Sequence, residues 1–207
     1  MRPRHQLGWE LPNALRVRSI SYYSGPIARY IQIAKSQPFG YLPKFLFQPI
    51  HEVLNYWSEE LRDLKFDAIT HVPGNTLRCF VETDLSFAIA EKLAFELKKP
   101  HVNLLFRPLS LRQQKALSAE KRWSSRKRDF LANKKNCKAY KGRKILLVDD
   151  VCTSGSSLFF ASQSLIQEGL HCEDALVLSC SPSFSRIQCL FESQSSPMIY
   201  NHYGRGI

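Results

Sequence analysis

The string KILLVDDVCTSGSSL at residues 144–158 sets the strongest constraint on the fold. Ile145 to Val148 form a short aliphatic run without polar alternation, the pattern of a strand buried on both faces. Such strands belong to parallel sheets covered by helices on each side. Two adjacent carboxylates, Asp149 and Asp150, close the run, and Thr153, Ser154, Gly155, Ser156 and Ser157 follow as a small, hydroxyl-bearing turn that leads into a new apolar stretch. Strand, acid pair, glycine turn and helix, in that order, place ligand-binding groups at the carboxyl end of a strand, where open α/β sheets bind.

The chemistry of these groups narrows the ligand. Backbone N–H groups and hydroxyls of the turn can surround a phosphate, and the N-terminus of the following helix adds positive potential at the same point. Ionised carboxylates only accept hydrogen bonds, so Asp149 and Asp150 suit the hydroxyls of a diol. Phosphate beside diol describes a ribose phosphate. Apolar runs ending in two aspartates also occur in response-regulator sheets and in the Walker B strand of nucleotide hydrolases. The Walker B alternative requires a GxxxxGK[ST] loop, and none occurs in the chain. The string from Leu146 to Ser157 closely resembles the phosphoribosyl pyrophosphate (PRPP) signature of the type I phosphoribosyltransferases.

The 207 residues, 44% hydrophobic, suffice for one α/β unit with an elaboration. No window approaches the roughly 18 apolar residues of a membrane span, and the polar opening MRPRHQLGWELP lacks an export signal, so a cytoplasmic location is expected. Six cysteines without a CxxC pair indicate reduced, mostly buried thiols rather than a zinc ribbon or disulfide framework; packing is the expected role of Cys152. The net charge of +11 is concentrated: residues 98–144 hold 16 Lys and Arg against Glu120 and Asp129 alone. A cationic segment in a slightly acidic body points to a polyanionic partner, either a diphosphate or a nucleic-acid backbone.

Along the chain, five prolines in residues 1–43 predict an irregular arm with at most one helix, from Pro26 to Lys35. The apolar spacing from Pro49 to Lys65 predicts an amphipathic helix. Ala68 to Val72 reads as a strand stopped by Pro73 and Gly74, with a helix from near Thr83 carrying Leu85, Ala88, Ile89, Leu93 and Leu97 on one side. His101 to Phe106 alternates as a short strand, a helix at 156–168 ends at Gly169, and Ala175 to Cys180 supplies another strand. Alternating strands and helices imply a mainly parallel sheet with right-handed crossovers. The expected division is residues 1–66 as an arm and hood, and 67–207 as the sheet domain.

Further motifs bring a family into view: YSGPIARYIQIAK at 23–35, THVPG at 70–74, FRPLSLRQQKALSAEKR at 106–122, Phe130, and the acid-pair string itself. With these the chain resembles the ComF family of competence-associated, type I phosphoribosyltransferase-like proteins, over about Tyr22 to Cys180. Members usually start with a four-cysteine zinc ribbon, whereas no cysteine here precedes Cys79, so no zinc is expected. Members also carry a basic first loop ending in an Arg-Gly-Phe-Asn-Gln-like string. This chain reads GNTLRCFVETDLS from Gly74 to Ser86, keeping only Arg78 and adding Glu82 and Asp84.

The resemblance implies the type I phosphoribosyltransferase fold, an α/β mainly parallel sheet with helices on both faces and an N-terminal hood. It implies PRPP bound with Mg²⁺ and phosphoribosyl transfer with pyrophosphate release, a glycosyltransferase reaction linked to DNA uptake. Asp149 and Asp150 would hold the ribose hydroxyls and Thr153, Ser154, Gly155, Ser156 and Ser157 the 5′-phosphate. Arg78 and Arg107 would face the pyrophosphate, and Gln114 and Arg122 would act from a lid over Pro108 to Arg126. Mg²⁺ would arrive through PRPP rather than through a site made by protein alone. A rival reading is a non-catalytic, single-stranded-DNA-binding competence factor, with Phe106, Trp123 and Phe130 as stacking groups among Arg126, Lys127 and Arg128, although such aromatics are more often core residues, Phe130 above all because it recurs in the family beside an expected strand. A PRPP sensor on the same scaffold is a third.

Overall fold

The structure, a computed structural model, describes residues 7–38, 61, 64–74, 84–108 and 129–181. In chain order the elements are β1 (Leu7–Glu10), β2 (Arg16–Tyr22), α1 (Gly25–Lys35), β3 (Ala68–His71), α2 (Leu85–Leu97), β4 (Leu105–Phe106), β5 (Leu131–Ala132), α3 (Lys134–Ala139), β6 (Lys144–Cys152), α4 (Ser156–Gln167) and β7 (His171–Cys180). Five strands form one sheet in the order β1-β2-β7-β6-β3, and all its pairs are parallel except β1 with β2. The mainly parallel sheet with helices on both faces is the architecture expected from the sequence. Among the described residues no helix is long and apolar enough to cross a membrane.

The two-residue period of β6 divides the core. Leu146 and Val148 face a cluster with Ile31 and Ala34 of α1 and Leu85, Ile89, Ala90 and Leu93 of α2. Ile145 and Leu147 face the opposite cluster, with Leu158, Ala161 and Leu165 of α4, Phe130 and Cys137. Each of these aliphatic side chains is almost fully buried, the Leu, Ile and Val side chains contributing roughly 1.5–3 kcal/mol apiece. Cys137, Cys152, Cys172 and Cys180 are buried free thiols.

Three expectations are corrected. The proline-rich arm contains two strands: Arg16–Tyr22 buries Val17 and Ser19 while its neighbours Arg16 and Arg18 point outward to Asp174 of β7, with Arg16 Nη2 2.8 Å from Asp174 Oδ2. That period of two decides the structure, because the prolines lie outside the strand. β6 runs to Cys152 rather than Val148, since its ladder with β7 continues through Asp149↔Val177, Val151↔Ser179 and Cys152↔Cys180. The strand expected over His101–Phe106 is only Leu105–Phe106. The preceding residues instead follow β3: His101 bridges to Ile69, Val102 N–H donates to Ile69 O at 2.9 Å, and Leu104 N–H reaches Thr70 Oγ1 at 3.3 Å. The alternation of this segment serves two successive partners. Most of the helix expected from Pro49 to Lys65 lies outside the described residues; Leu61 is helical and buried, but Leu64 and Lys65 are not helical, so the helix stops short of its expected end.

Candidate functional site

The ladder offsets around β6 create the site. On one side β3 stops at His71, opposite Val148, while on the other β7 continues to Cys180, opposite Cys152. Asp149 and Asp150 therefore lie in the strand but beyond the end of β3, with one flank no longer covered by that neighbour. Both side chains are nevertheless largely buried, each residue 9% exposed.

The two acids are held differently. Asp149 Oδ1 accepts the Ser86 hydroxyl at 3.0 Å and the Asp150 N–H at 2.9 Å. Burial, with the neighbouring Asp150 charge, pushes its carboxyl up to about 7, against the opposing pull of Lys35 and these two donors. Asp150 belongs by period to the face of Leu146 and Val148, the face covered by α1. There Lys35, the last residue of α1, places Nζ 2.8 Å from Asp150 Oδ2. Burial lowers the affinity of the Lys35 amine for its proton, but the Asp150 and Asp149 charges outweigh it and leave the ammonium above its ordinary range.

Immediately after the acids the chain makes the expected turn. Gly155 caps α4 with φ 72°, a left-handed conformation open to glycine, and brings no side chain to the N-terminal N–H groups of the helix. Those donors are the feature that makes a helix start an anion site. Ser154 and Ser156 are buried with their hydroxyls 2.9 Å apart, while Thr153 is exposed at the loop and Ser157 is half-buried. Cys152 packs beneath the turn; its hydrogen bond with the Cys180 thiol and its burial raise its pKa well above the usual thiol range, consistent with packing rather than reactivity. All seven predicted PRPP-contacting residues, Asp149 to Ser157, thus lie on one continuous strand-turn-helix unit.

The described residues at the end of β3 and the start of α2 are tied together. Asp84 caps α2, accepting Phe87 N–H at Oδ1 (3.2 Å) and Gly74 N–H at Oδ2 (3.0 Å). Its acidity, which in sequence counts against an anion at this loop, is directed to backbone donors. His71 Nδ1 lies 3.1 Å from His101 Nε2, and the Phe87 ring stands edge-on to both imidazoles. Burial holds both histidines below their usual range, with His71 pushed down to about 4, so both are neutral at pH 7 and one donates to the other.

Arg107 sits at the base of the basic excursion. The antiparallel pair β4–β5 brings residues 105–106 against 131–132, and there Arg107 Nη2 binds Asp129 Oδ2 at 2.8 Å with its guanidinium 5.3 Å from the centre of the Phe130 ring. Phe130 is 2% exposed, so of its two readings, core residue or stacking group for bases, the ring takes the core one. Phe106 is exposed. Arg78, Gln114, Arg122, Trp123, Arg126, Lys127 and Arg128 lie outside the described residues.

Sequence reasoning about function missed Lys35 and Ser86. Lys35 closes the YSGPIARYIQIAK motif, which carried the family resemblance without a role for any of its residues. Ser86 lies three and four positions before Ile89 and Ala90, a small polar residue on the apolar face of α2, and that misplaced polarity was its signal.

No family model matches the chain, and no curated protein matches it. Several solved structures are similar to it. The adenine phosphoribosyltransferase of Thermoanaerobacter pseudethanolicus shares 16% identity over 89% of each chain, with a TM-score of 0.48. That of Saccharomyces cerevisiae, complexed with D-2,5-dideoxy-2,5-imino-altritol 1,6-bisphosphate and adenine, shares 17% identity over 77% of this chain and 91% of that one, with a TM-score of 0.49. A hypothetical protein from Neisseria gonorrhoeae with bound ppGpp shares 14% identity over 77% of this chain and 98% of that one, with a TM-score of 0.42.

Proposed function

We propose that the chain binds PRPP with Mg²⁺ and transfers its phosphoribosyl group to an acceptor, releasing pyrophosphate. The observation that carries this reading is the unit from Asp149 to Ser157, in which a buried acid pair leads through a short turn into a helix capped by Gly155, a residue with no side chain to occupy the helix start. The resemblance of its motifs to the ComF family supports the same assignment and adds the link to DNA uptake.

Each residue has a defined task. The N–H groups at the start of α4, with the hydroxyls of Thr153, Ser154, Ser156 and Ser157, hold the 5′-phosphate. Asp149 and Asp150 accept the ribose hydroxyls. In the transfer, the bond from the anomeric carbon to the diphosphate oxygen breaks with its electron pair leaving on pyrophosphate, the acceptor's lone pair forms the new bond, and the acceptor's N–H proton passes to solvent. Positive charge develops on the ring carbon and oxygen, and the acid pair stabilises it without covalent participation. Asp149 and Asp150 are hard oxygen donors that fit the water shell of a Mg²⁺ carried on the diphosphate, where the ion would offset the leaving group's charge. Arg78 and Arg107 are the cations assigned to the diphosphate, Arg107 acting from its bridge with Asp129.

The test is a thermal-shift and calorimetric titration with PRPP, with and without Mg²⁺, on the wild type and on the Asp149→Asn, Asp150→Asn double variant. Ligand that binds only the folded state raises its midpoint. A Mg²⁺-dependent rise in the wild type that is absent in the double variant is expected, followed by pyrophosphate release when the correct base or amine is supplied. No stabilisation by PRPP, or an equal effect in the double variant, overturns the binding assignment. Binding without release across acceptors overturns transfer.

A further inference from the structure

Lys35 reaches the acid pair from an element that sequence reasoning left without a function. Its ammonium contacts Asp150 Oδ2 at 2.8 Å while its side chain remains 42% exposed, so the cation lies at the outer side of a carboxylate that is itself 12% exposed. Its position is not that of a wandering surface lysine. Ala34 immediately before it is fully buried and Ile31, one turn earlier, is 1% exposed, which fixes the end of α1 against β6. As an ion pair alone, a contact so open to solvent adds little stability. An ammonium has three donors, and a carboxylate oxygen occupies one.

We propose that Lys35 is a ribose-contact residue that sets specificity for the hydroxyl bound at Asp150. This rests on the ribose-phosphate reading of the site. A sugar hydroxyl is donor and acceptor at once. Placed beside this pair, it donates to Asp150 and accepts from Lys35, and each bond polarises the other. A deoxy sugar leaves the carboxylate and the ammonium without that partner in a half-buried site, and charged groups deprived of a hydrogen bond discriminate strongly. Lys35 also reduces the negative charge that the acid pair presents to an incoming phosphate.

The experiment measures dissociation constants for ribose 5-phosphate and for its 2-deoxy and 3-deoxy analogues in the wild type, Lys35→Met and Lys35→Arg. The discrimination ratio is taken for whichever analogue the wild type rejects more strongly. Lys35→Met is expected to reduce that ratio about tenfold, the equivalent of one charge-assisted hydrogen bond, and Lys35→Arg to retain more of it. Equal loss of affinity for all three sugars in Lys35→Met, with the ratio preserved, means a structural role and overturns the proposal. So do equal ratios in the two variants. Tighter ribose 5-phosphate binding in Lys35→Met also overturns it, because the ammonium is then an occupant that the sugar must displace. Failure of the wild type to bind either ribose 5-phosphate or PRPP overturns the function itself, and this inference with it.

Discussion

Ser86 donates its hydroxyl to Asp149 Oδ1 at 3.0 Å, joining the first turn of α2 to the acid pair. The bond stabilises the ionised carboxylate more than the protonated one, because charged acceptors bind hydrogen more strongly. Ser86→Ala is therefore expected to destabilise the fold by about 1–2 kcal/mol at pH 8, where Asp149 is charged, and by less at pH 5. Urea unfolding at the two pH values measures this. An equal loss at both would show that the hydroxyl does not distinguish the two forms.

Two buried groups make opposite contributions to the pH dependence of stability. Asp149 titrates at about 7 in the fold against an ordinary 3.8, so the folded state holds its proton longer and stability falls as pH rises between those values. His71 titrates at about 4 against an ordinary 6.5, so the unfolded state takes up the proton first and stability falls as pH drops between those values. Over pH 4 to 6.5 the two slopes oppose each other. Asp149→Asn is expected to become more acid-labile across this range relative to wild type, and His71→Gln to gain relative stability as pH falls. Thermal midpoints from pH 4 to 7.5 read both differences, and parallel profiles for all three proteins would refute the linkage.

The strand-turn-helix unit was legible in sequence because each part has a local cause: aliphatic residues for a strand buried on both faces, Gly155 for the left-handed turn, small hydroxyl residues around the proposed phosphate site. The N-terminal strands were less legible. Pro12 and Pro26 flank Arg16–Tyr22 closely enough to suggest irregularity, while the sign of a strand, Val17 and Ser19 turned inward, required knowing that β2 joins β7 in the sheet and that α4 covers the face of Val17. Lys35 was hidden for a different reason. Its partner Asp150 is 115 positions away, and only the packing of Ile31 and Ala34 against Leu146 and Val148 brings the two together. A lysine ending a helix reads locally as a favourable charge at the carboxyl terminus and as nothing more.

Arg107 and Asp129 bridge the two ends of the basic excursion at 2.8 Å, with side chains 21% and 11% exposed. Burial to this degree places the pair between a screened surface contact and a desolvated one. A double-mutant cycle with Arg107→Ala and Asp129→Ala is expected to give a coupling of about 1 kcal/mol in unfolding free energy. Coupling near zero would mean that β4 and β5 alone hold the excursion's base. With Arg107 proposed to hold the diphosphate, Asp129→Ala is also expected to weaken PRPP binding by releasing the guanidinium from its bridge, while leaving ribose 5-phosphate, which lacks the diphosphate, unaffected.

Gly155 and Gly142 separate backbone strain from ligand recognition. Both have left-handed backbones, with φ of 72° and 75°. A side chain in that conformation costs about 1–2 kcal/mol. Gly142 precedes β6 at its amino end, where a Cβ would meet nothing within 4 Å, so Gly142→Ala carries the backbone cost alone. Gly155 starts α4 beside the acid pair. Gly155→Ala carries a similar backbone cost and, by shifting the turn away from φ 72°, is expected to misalign the N-terminal donors proposed to hold the phosphate. Urea unfolding should show comparable destabilisation of the two variants, whereas calorimetric titration with ribose 5-phosphate should show weakened binding only in Gly155→Ala. Equal binding by both would remove the turn from the phosphate site; weakened binding by both would show that any strain in these turns, however remote from the acids, is enough to disturb it.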